Sequence, residues 1–404
     1  MEELENKYIE LLLKRCLNFN KAKILFINYQ TDNLDFIKKV EKKAYEMGVE
    51  EVFLRDEEVM KRHDLLKQIP LDAIATEPLF NNAIWDKYAS QNAAFLLLES
   101  EFPHLMDDIE PEKLSQMQIV DRKTKPLYKK KQLEYSIPWC IAALPSTTWA
   151  KNMFPELDDK AAYEKLFKLI CSMAMADTKD PIISWNDYFD RQKKIVDRLN
   201  SLGITHMKYQ NSLGTNLTVF LDKSAIWRSA GRKDMIVNCP SYEIFTTPIY
   251  YRTEGIVYAS RPLCFNGSFI SDFYLEFKNG KVVNYGAKEG KELIKGIIES
   301  DDFSAYLGEV ALVPNNSPIS NTGLVYGNTL LDENASCHLA LGGGFKDCLR
   351  YYDELSNYEK YLNRIGLNPS KNHVDFMIGT EDLNIHAKTN EGKKLIFKNG
   401  EFNI

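Results

Sequence analysis

No cysteine spacing in this chain would build a disulfide framework or a zinc ribbon. Its seven cysteines (Cys16, Cys140, Cys171, Cys239, Cys264, Cys337 and Cys348) are odd in number, scattered, and never arranged as Cys-x-x-Cys. Reduced thiols in a cytoplasmic protein fit that pattern, and Cys337, beside His338, reads as a small buried residue. An apolar run of the roughly 20 residues needed to cross a bilayer is also missing, which excludes a membrane-spanning helix. The start, Met1-Glu2-Glu3-Leu4-Glu5, is acidic and lacks the basic-then-apolar order of a signal peptide. Positive charge is not in excess either: the formal net charge is −6 and the pI about 5.7, which argues against nucleic acid as a partner. One basic run, Arg122, Lys123, Lys125, Lys129, Lys130 and Lys131, has only Tyr128 interleaved and reads as a solvated loop or helix face.

What is present describes a folded protein of two parts. With 404 residues, 44% of them apolar and 27% charged, the chain can bury two substantial cores. Residues 23–29 read as a buried strand, 31–47 as a helix with Leu34, Ile37, Val40, Ala44 and Met47 on one face, and 52–54 as a second strand. Strand, helix, strand over about 35 residues is a βαβ unit with parallel pairing. Further buried strands are expected near 93–98 and 136–144, and none of the strand–helix turns carries a glycine-rich phosphate loop. Helices at about 158–176 and 183–202 follow, the second with Trp185, Phe189, Ile195 and Leu199 as a core stripe. Past Gly203 the texture turns to β. Two Asn-Gly pairs, Asn279-Gly280 and Asn399-Gly400, mark hairpins, the first between strands at 269–277 and 282–285. The expected class is α/β: an N-terminal open α/β domain over 1–190, then a mixed α+β metal-binding domain over 191–404.

The chemistry gathers in the second half. Leu331 to His338 reads Leu-Asp-Glu-Asn-Ala-Ser-Cys-His, and His373-Val374-Asp375 puts an imidazole and a carboxylate two apart, on one face of a strand. Carboxylates and imidazoles among apolar runs suit a hard or borderline divalent cation. Each acid also has a plain structural account. Glu309 could end a strand, Glu333 could support a helix start, and His373 could simply bond Asp375. Gly342-Gly343-Gly344 reads as a tight turn rather than an anion cradle.

Several segments together carry more weight than any one of them. They are Ile137-Pro138-Trp139, Gly214-Thr215-Asn216-Leu217-Thr218, Glu243-Ile244-Phe245-Thr246, Ser271-Asp272-Phe273, Gly280-Lys281-Val282-Val283, the run from Asp332 to Gly342, and His373 to Gly379. In this order and spacing the chain resembles the thermophilic-aminopeptidase family of dinuclear metallopeptidases, the aminopeptidase T, aminopeptidase S and PepS type. The resemblance implies two divalent ions (Zn, Co, Mn or Mg) held by Glu243, Glu309, Glu333, His338, His373 and Asp375, with Glu309 as the bridge. It implies a metal-bridging hydroxide that attacks the scissile carbonyl, with Glu309 or Glu333 as the catalytic carboxylate that moves the proton. It further implies short peptides as substrates, trimmed from the N-terminus, and a homodimer.

One position departs from the family pattern. The family has a tyrosine seven residues after the histidine matching His338; here that residue is Phe345, with Tyr351 and Tyr352 nearby but out of register. Tyr242 also stands where the family commonly has an acid. The expected function is therefore a metal-dependent aminopeptidase. The alternatives are a hydrolase of another amide, or a catalytically weakened metal-binding relative that serves as a binding or scaffold protein.

Overall fold

The computed structural model describes residues 1–19, 22–76, 82–232, 235–265, 267–350 and 364–404. The chain forms two compact units. The first comprises Met1–Tyr188, Ala230–Ser241 and Asn266–Ser268; the second comprises Phe189–Ser229, Tyr242–Phe265 and Phe269–Ile404.

The first unit is an open α/β layer. Five parallel strands lie in the order Asn238–Cys239, Trp139–Ala143, Ala94–Glu99, Ile24–Tyr29, Glu51–Asp56. Ile24–Tyr29 is an interior strand, largely apolar on both faces, as a parallel strand covered on both sides must be. The crossover helix Leu34–Glu46 starts where the Asn33 side chain accepts from the Phe36 N–H at 3.1 Å, and it buries Phe36, Ile37, Val40 and Ala44. Two features depart from the sequence reading. The edge strand Asn238–Cys239 comes from far along the chain, and two residues are too few to show alternation. In the basic run, Lys125 is half-buried, its Nζ 4.5 Å from the Trp85 ring centre, and burial lowers its pKa.

At the carboxyl end of the Ala94–Glu99 strand, burial and the nearby Glu57 push the Glu99 carboxyl up to about 7. An acid raised by folding is protonated in the native state while its unfolded counterpart has already ionised. Between the ordinary value of 4.5 and about 7 the unfolded chain therefore binds fewer protons, so Glu99 makes stability fall as pH rises through that window. Denaturant unfolding at several pH values should show this slope and its loss in Glu99→Gln. An identical slope in the variant refutes the assignment.

The second unit is mixed and largely antiparallel. One sheet has eight strands, in the order Lys281–Gly286, Tyr274–Lys278, Glu254–Tyr258, Asn216–Phe220, His206–Gln210, Asn384–Thr389, Gly392–Lys398, Glu401–Phe402. Both Asn-Gly turns form, with φ of 50° and 80° at Asn279 and Gly280, and 50° and 76° at Asn399 and Gly400. Two successive left-handed residues are what the tight hairpin turn needs. At Gly280 a Cβ would also lie 1.9 Å from the Tyr250 carbonyl oxygen. The expected strand at 269–277 is in fact broken. Ser268–Ile270 pairs with Leu263–Phe265, Asp272 takes φ 47°, and only Tyr274–Lys278 enters the hairpin.

The other sheet has five strands: His373–Met377, His338–Gly342, Leu307–Leu312, Ile244–Thr246 and Arg228–Ser229. Side chains alternate along each strand. Val310 and Leu312, Leu339 and Leu341, and Val374 and Phe376 enter a core shared with Leu217, Val257, Leu275 and Ile385 of the eight-stranded sheet. The intervening residues therefore share the opposite face, and these are the ones that carry the chemistry.

Candidate metal centre

On that face, strand register sets the neighbours. Glu309 and Asp375 both lie opposite Ala340, one on each side, and His338 lies opposite Ala311. The alanines contribute only methyl groups, so the polar side chains around them converge. Glu243 immediately precedes the Ile244–Thr246 strand, and His373 opens the strand that contains Asp375. Five of the six predicted residues form two overlapping triads. Ligand atoms of Glu243, Glu309 and His338 lie within 4.8 Å of one another, as do those of Glu309, His373 and Asp375. Glu309 belongs to both.

Within the triads, His338 Nε2 is 3.2 Å from Glu243 Oε2, and His373 Nε2 is 3.1 Å from Glu309 Oε2 and 3.3 Å from Asp375 Oδ1. The far side of each ring fixes its tautomer. His338 Nδ1 lies 3.2 Å from the Ser336 carbonyl and His373 Nδ1 lies 2.9 Å from the Gly343 carbonyl. A carbonyl can only accept, so each Nδ1 carries a proton, and in the metal-free protein each Nε2–H donates to its carboxylate neighbour; a cation would take the place of that Nε2 proton. Asp375 Oδ1 is buried with only the 3.3 Å contact to His373 Nε2 beside it, which leaves acceptor capacity that a cation would satisfy.

Glu333 lies outside both triads but inside the same electrostatic cluster. It is the last residue of the short helix Thr329–Glu333, not a helix-start acid, so the helix end does nothing to stabilise its charge. Burial, with Asp375 and Glu243 beside it, pushes its carboxyl well above the ordinary range. Burial likewise pushes Glu309 up to about 7, Asp375 and Glu243 adding to it against His373. Burial depresses His338, yet Glu243, Glu309 and Asp375 together outweigh it and hold the imidazole up at about 10. Four carboxylates of like sign in one buried place, with only two imidazoles, make a site that favours added positive charge.

The surroundings separate the remaining expectations. The N–H groups of Gly342, Gly343 and Gly344 bond the carbonyls of Tyr306, Asn372 and Asn368 at 2.7, 2.6 and 3.0 Å, so the run is a turn with no donors left for an anion. Cys337 is buried at 1% exposure, and burial raises its thiol to about 12, away from any thiolate role. Phe345 packs against the His373 ring at 5.1 Å and the Phe245 ring at 5.2 Å. The His373 side chain is 28% exposed against 1% for His338, so the cluster opens on the side where Phe345 stands. Tyr351 and Tyr352 lie outside the described residues.

Two side chains that bond to the site's segments escaped the sequence reading. Asn334 follows Glu333 directly. Gln192 lies on the helix Pro181–Ser201 and donates to the carbonyls of Tyr242 and Glu243 at 3.0 and 2.9 Å. A signal for Gln192 existed: it falls at helical spacing from Trp185, Phe189, Ile195 and Leu199, a polar residue in an apolar stripe.

Comparison with known proteins agrees with this geometry. The family model described as "Thermophilic metalloprotease (M29)" matches residues 1–402. Aminopeptidase 2 of Geobacillus stearothermophilus is 34% identical over 403 residues, covering 98% of this chain and 97% of that protein. Aminopeptidase AmpS of Bacillus subtilis is 33% identical over 406 residues, covering 98% of each. The solved structure of wild-type AmpT from Thermus thermophilus superposes with a TM-score of 0.86 at 27% identity, covering 100% of this chain and 99% of that one. Such a fold, with such a carboxylate-rich centre, defines a metal-dependent peptide hydrolase. The chain belongs to the thermophilic metalloprotease (M29) family.

Proposed function

We propose that this metal-dependent aminopeptidase holds two divalent ions (zinc, cobalt, manganese or magnesium) through Glu243, Glu309, Glu333, His338, His373 and Asp375, and removes N-terminal residues from short peptides. The observation that carries the reading is that Glu309 belongs to both triads, the position a bridging carboxylate must take. When bound, such ions polarise a carbonyl and lower the pKa of a water from about 15.7 to about 7. The chain's own groups would do the rest. The Ser336 and Gly343 carbonyls hold the two imidazoles in their ligating tautomer. Glu309 or Glu333 takes the proton of the attacking water and returns it to the leaving amine. A further carboxylate pairs with the substrate α-ammonium, which would restrict cleavage to the N-terminus. All six residues fall in 191–404, taken here as the catalytic domain beside an N-terminal domain of 1–190. Among the described residues no helix is long and apolar enough to cross a membrane. A cytoplasmic homodimer remains part of the proposal.

Turnover of aminoacyl-anilides should vanish with chelator and return with cobalt or zinc, at two ions per chain by elemental analysis. Phe345 favours a second reading, a weakened metal-binding relative or a hydrolase of another amide. Two tightly bound ions with no turnover of any aminoacyl-anilide would support that reading and reject the first.

A further inference from the structure

Glu243 and Glu333 come from segments far apart in sequence, and one side chain touches both neighbourhoods. Asn334 is fully buried at 0% exposure. Its Oδ1 accepts the Tyr242 N–H at 2.7 Å, and its Nδ2 donates to the Leu330 carbonyl at 2.9 Å and to Glu333 Oε1 at 3.4 Å. The amide orientation is dictated by its partners: turned over, it would set an NH2 against an N–H and an oxygen against two acceptors. Tyr242 and Glu243 precede the Ile244–Thr246 strand, so their backbone groups have no ladder partners of their own. Side chains satisfy them instead. Asn334 holds the Tyr242 N–H, and Gln192 holds the carbonyls of Tyr242 and Glu243 from the other side.

We infer that Asn334 is a positioning residue that sets Glu333 relative to Glu243, so that both reach the same pair of ions. The inference rests on the proposed metal centre. An uncharged amide suits the place, since it supplies one acceptor and two donors without adding charge beside four carboxylates. A shorter side chain would leave the Tyr242 N–H unpaired and free Glu333 to turn away. Loss of such an outer partner typically weakens metal binding by about 10–100-fold.

The test uses the whole chain, freed of metal and titrated with cobalt(II). Calorimetry reads affinity, and the visible absorption spectrum reads coordination geometry. Asn334→Ala should bind cobalt about 10–100-fold more weakly at one of two positions, with an altered spectrum. Asn334→Asp keeps the volume and the acceptor for the Tyr242 N–H, so it separates loss of that bond from loss of the donor to Glu333. It replaces the donor to Glu333 with a repelling carboxylate, and its cobalt spectrum should change as well. Ser317→Ala removes a different buried bond to the same residue, the 3.1 Å hydrogen bond to the Asn334 carbonyl. It should lower the melting temperature while leaving cobalt affinity and spectrum alone. Wild-type affinity and spectrum in folded Asn334→Ala or Asn334→Asp overturn the inference, as does a Ser317→Ala protein that loses cobalt equally. If wild type takes up no cobalt, the metal centre itself is wrong, a result distinct from either.

Discussion

Replacing Glu309 with glutamine should lower peptide turnover by about 10³-fold or more. Polarisation by a metal is worth several kcal/mol to the transition state, and each ~1.4 kcal/mol is tenfold in rate. Glutamine keeps the volume and one acceptor oxygen but cannot bridge two cations with two charged oxygens. Glu309 is buried at 3% exposure on the central strand of its sheet, opposite Ala340, where its neighbours Glu243 and Asp375 already serve one triad each. Stability should move the other way. In the metal-free protein Glu309 crowds Asp375 and Glu243, and the variant removes one like charge, so its metal-free form should melt higher than that of the wild type. The gain in melting temperature on adding zinc or cobalt should shrink, because fewer ligands favour the folded state. Scanning calorimetry with and without metal, beside aminoacyl-anilide kinetics, measures both effects. Two ions bound and near-normal turnover in Glu309→Gln would remove the bridging role.

Phe345→Tyr should raise turnover by about 10²–10³-fold, the worth of one well-placed donor to a developing oxyanion. The family resemblance puts a tyrosine at this position, and the Phe345 ring already lies 5.1 Å from the His373 ring on the exposed side of the cluster. A hydroxyl at the ring's far end would add a donor without moving the ring from its edge contact with Phe245. The gain should appear in kcat rather than KM, because the oxyanion exists only in the transition state. An unchanged kcat would show that the chain works without that hydroxyl, and would leave Phe345 as an apolar wall of the site.

Local pattern made much of this molecule legible in advance. The parallel layer followed from apolar strands alternating with a 3.6-periodic helix, and both Asn-Gly turns formed where two left-handed residues were needed. The pattern misled where partners decided the outcome. The run at 269–277 has strand composition throughout, yet Asp272 breaks it, because Ser268–Ile270 and Tyr274–Lys278 pair with different strands. Lys125 looked solvated until Trp85 came to lie beside it from another helix. Glu333 looked like a helix-start acid and instead closes its helix.

The sequence alone determined which atoms are available: six oxygen- and nitrogen-bearing side chains of the right chemistry, and a period of two that puts His373 and Asp375 on one face. Tertiary structure decided that Glu309 would be shared by two triads, since that depends on strand register across Ala340 and not on any local pattern. It also decided the tautomers, through the carbonyls of Ser336 and Gly343, and the clasp of Asn334 and Gln192 around Glu243. Hydrogen bonds and ligand triads act over about 3 to 5 Å, and only the folded chain brings residues from such distant segments within that range.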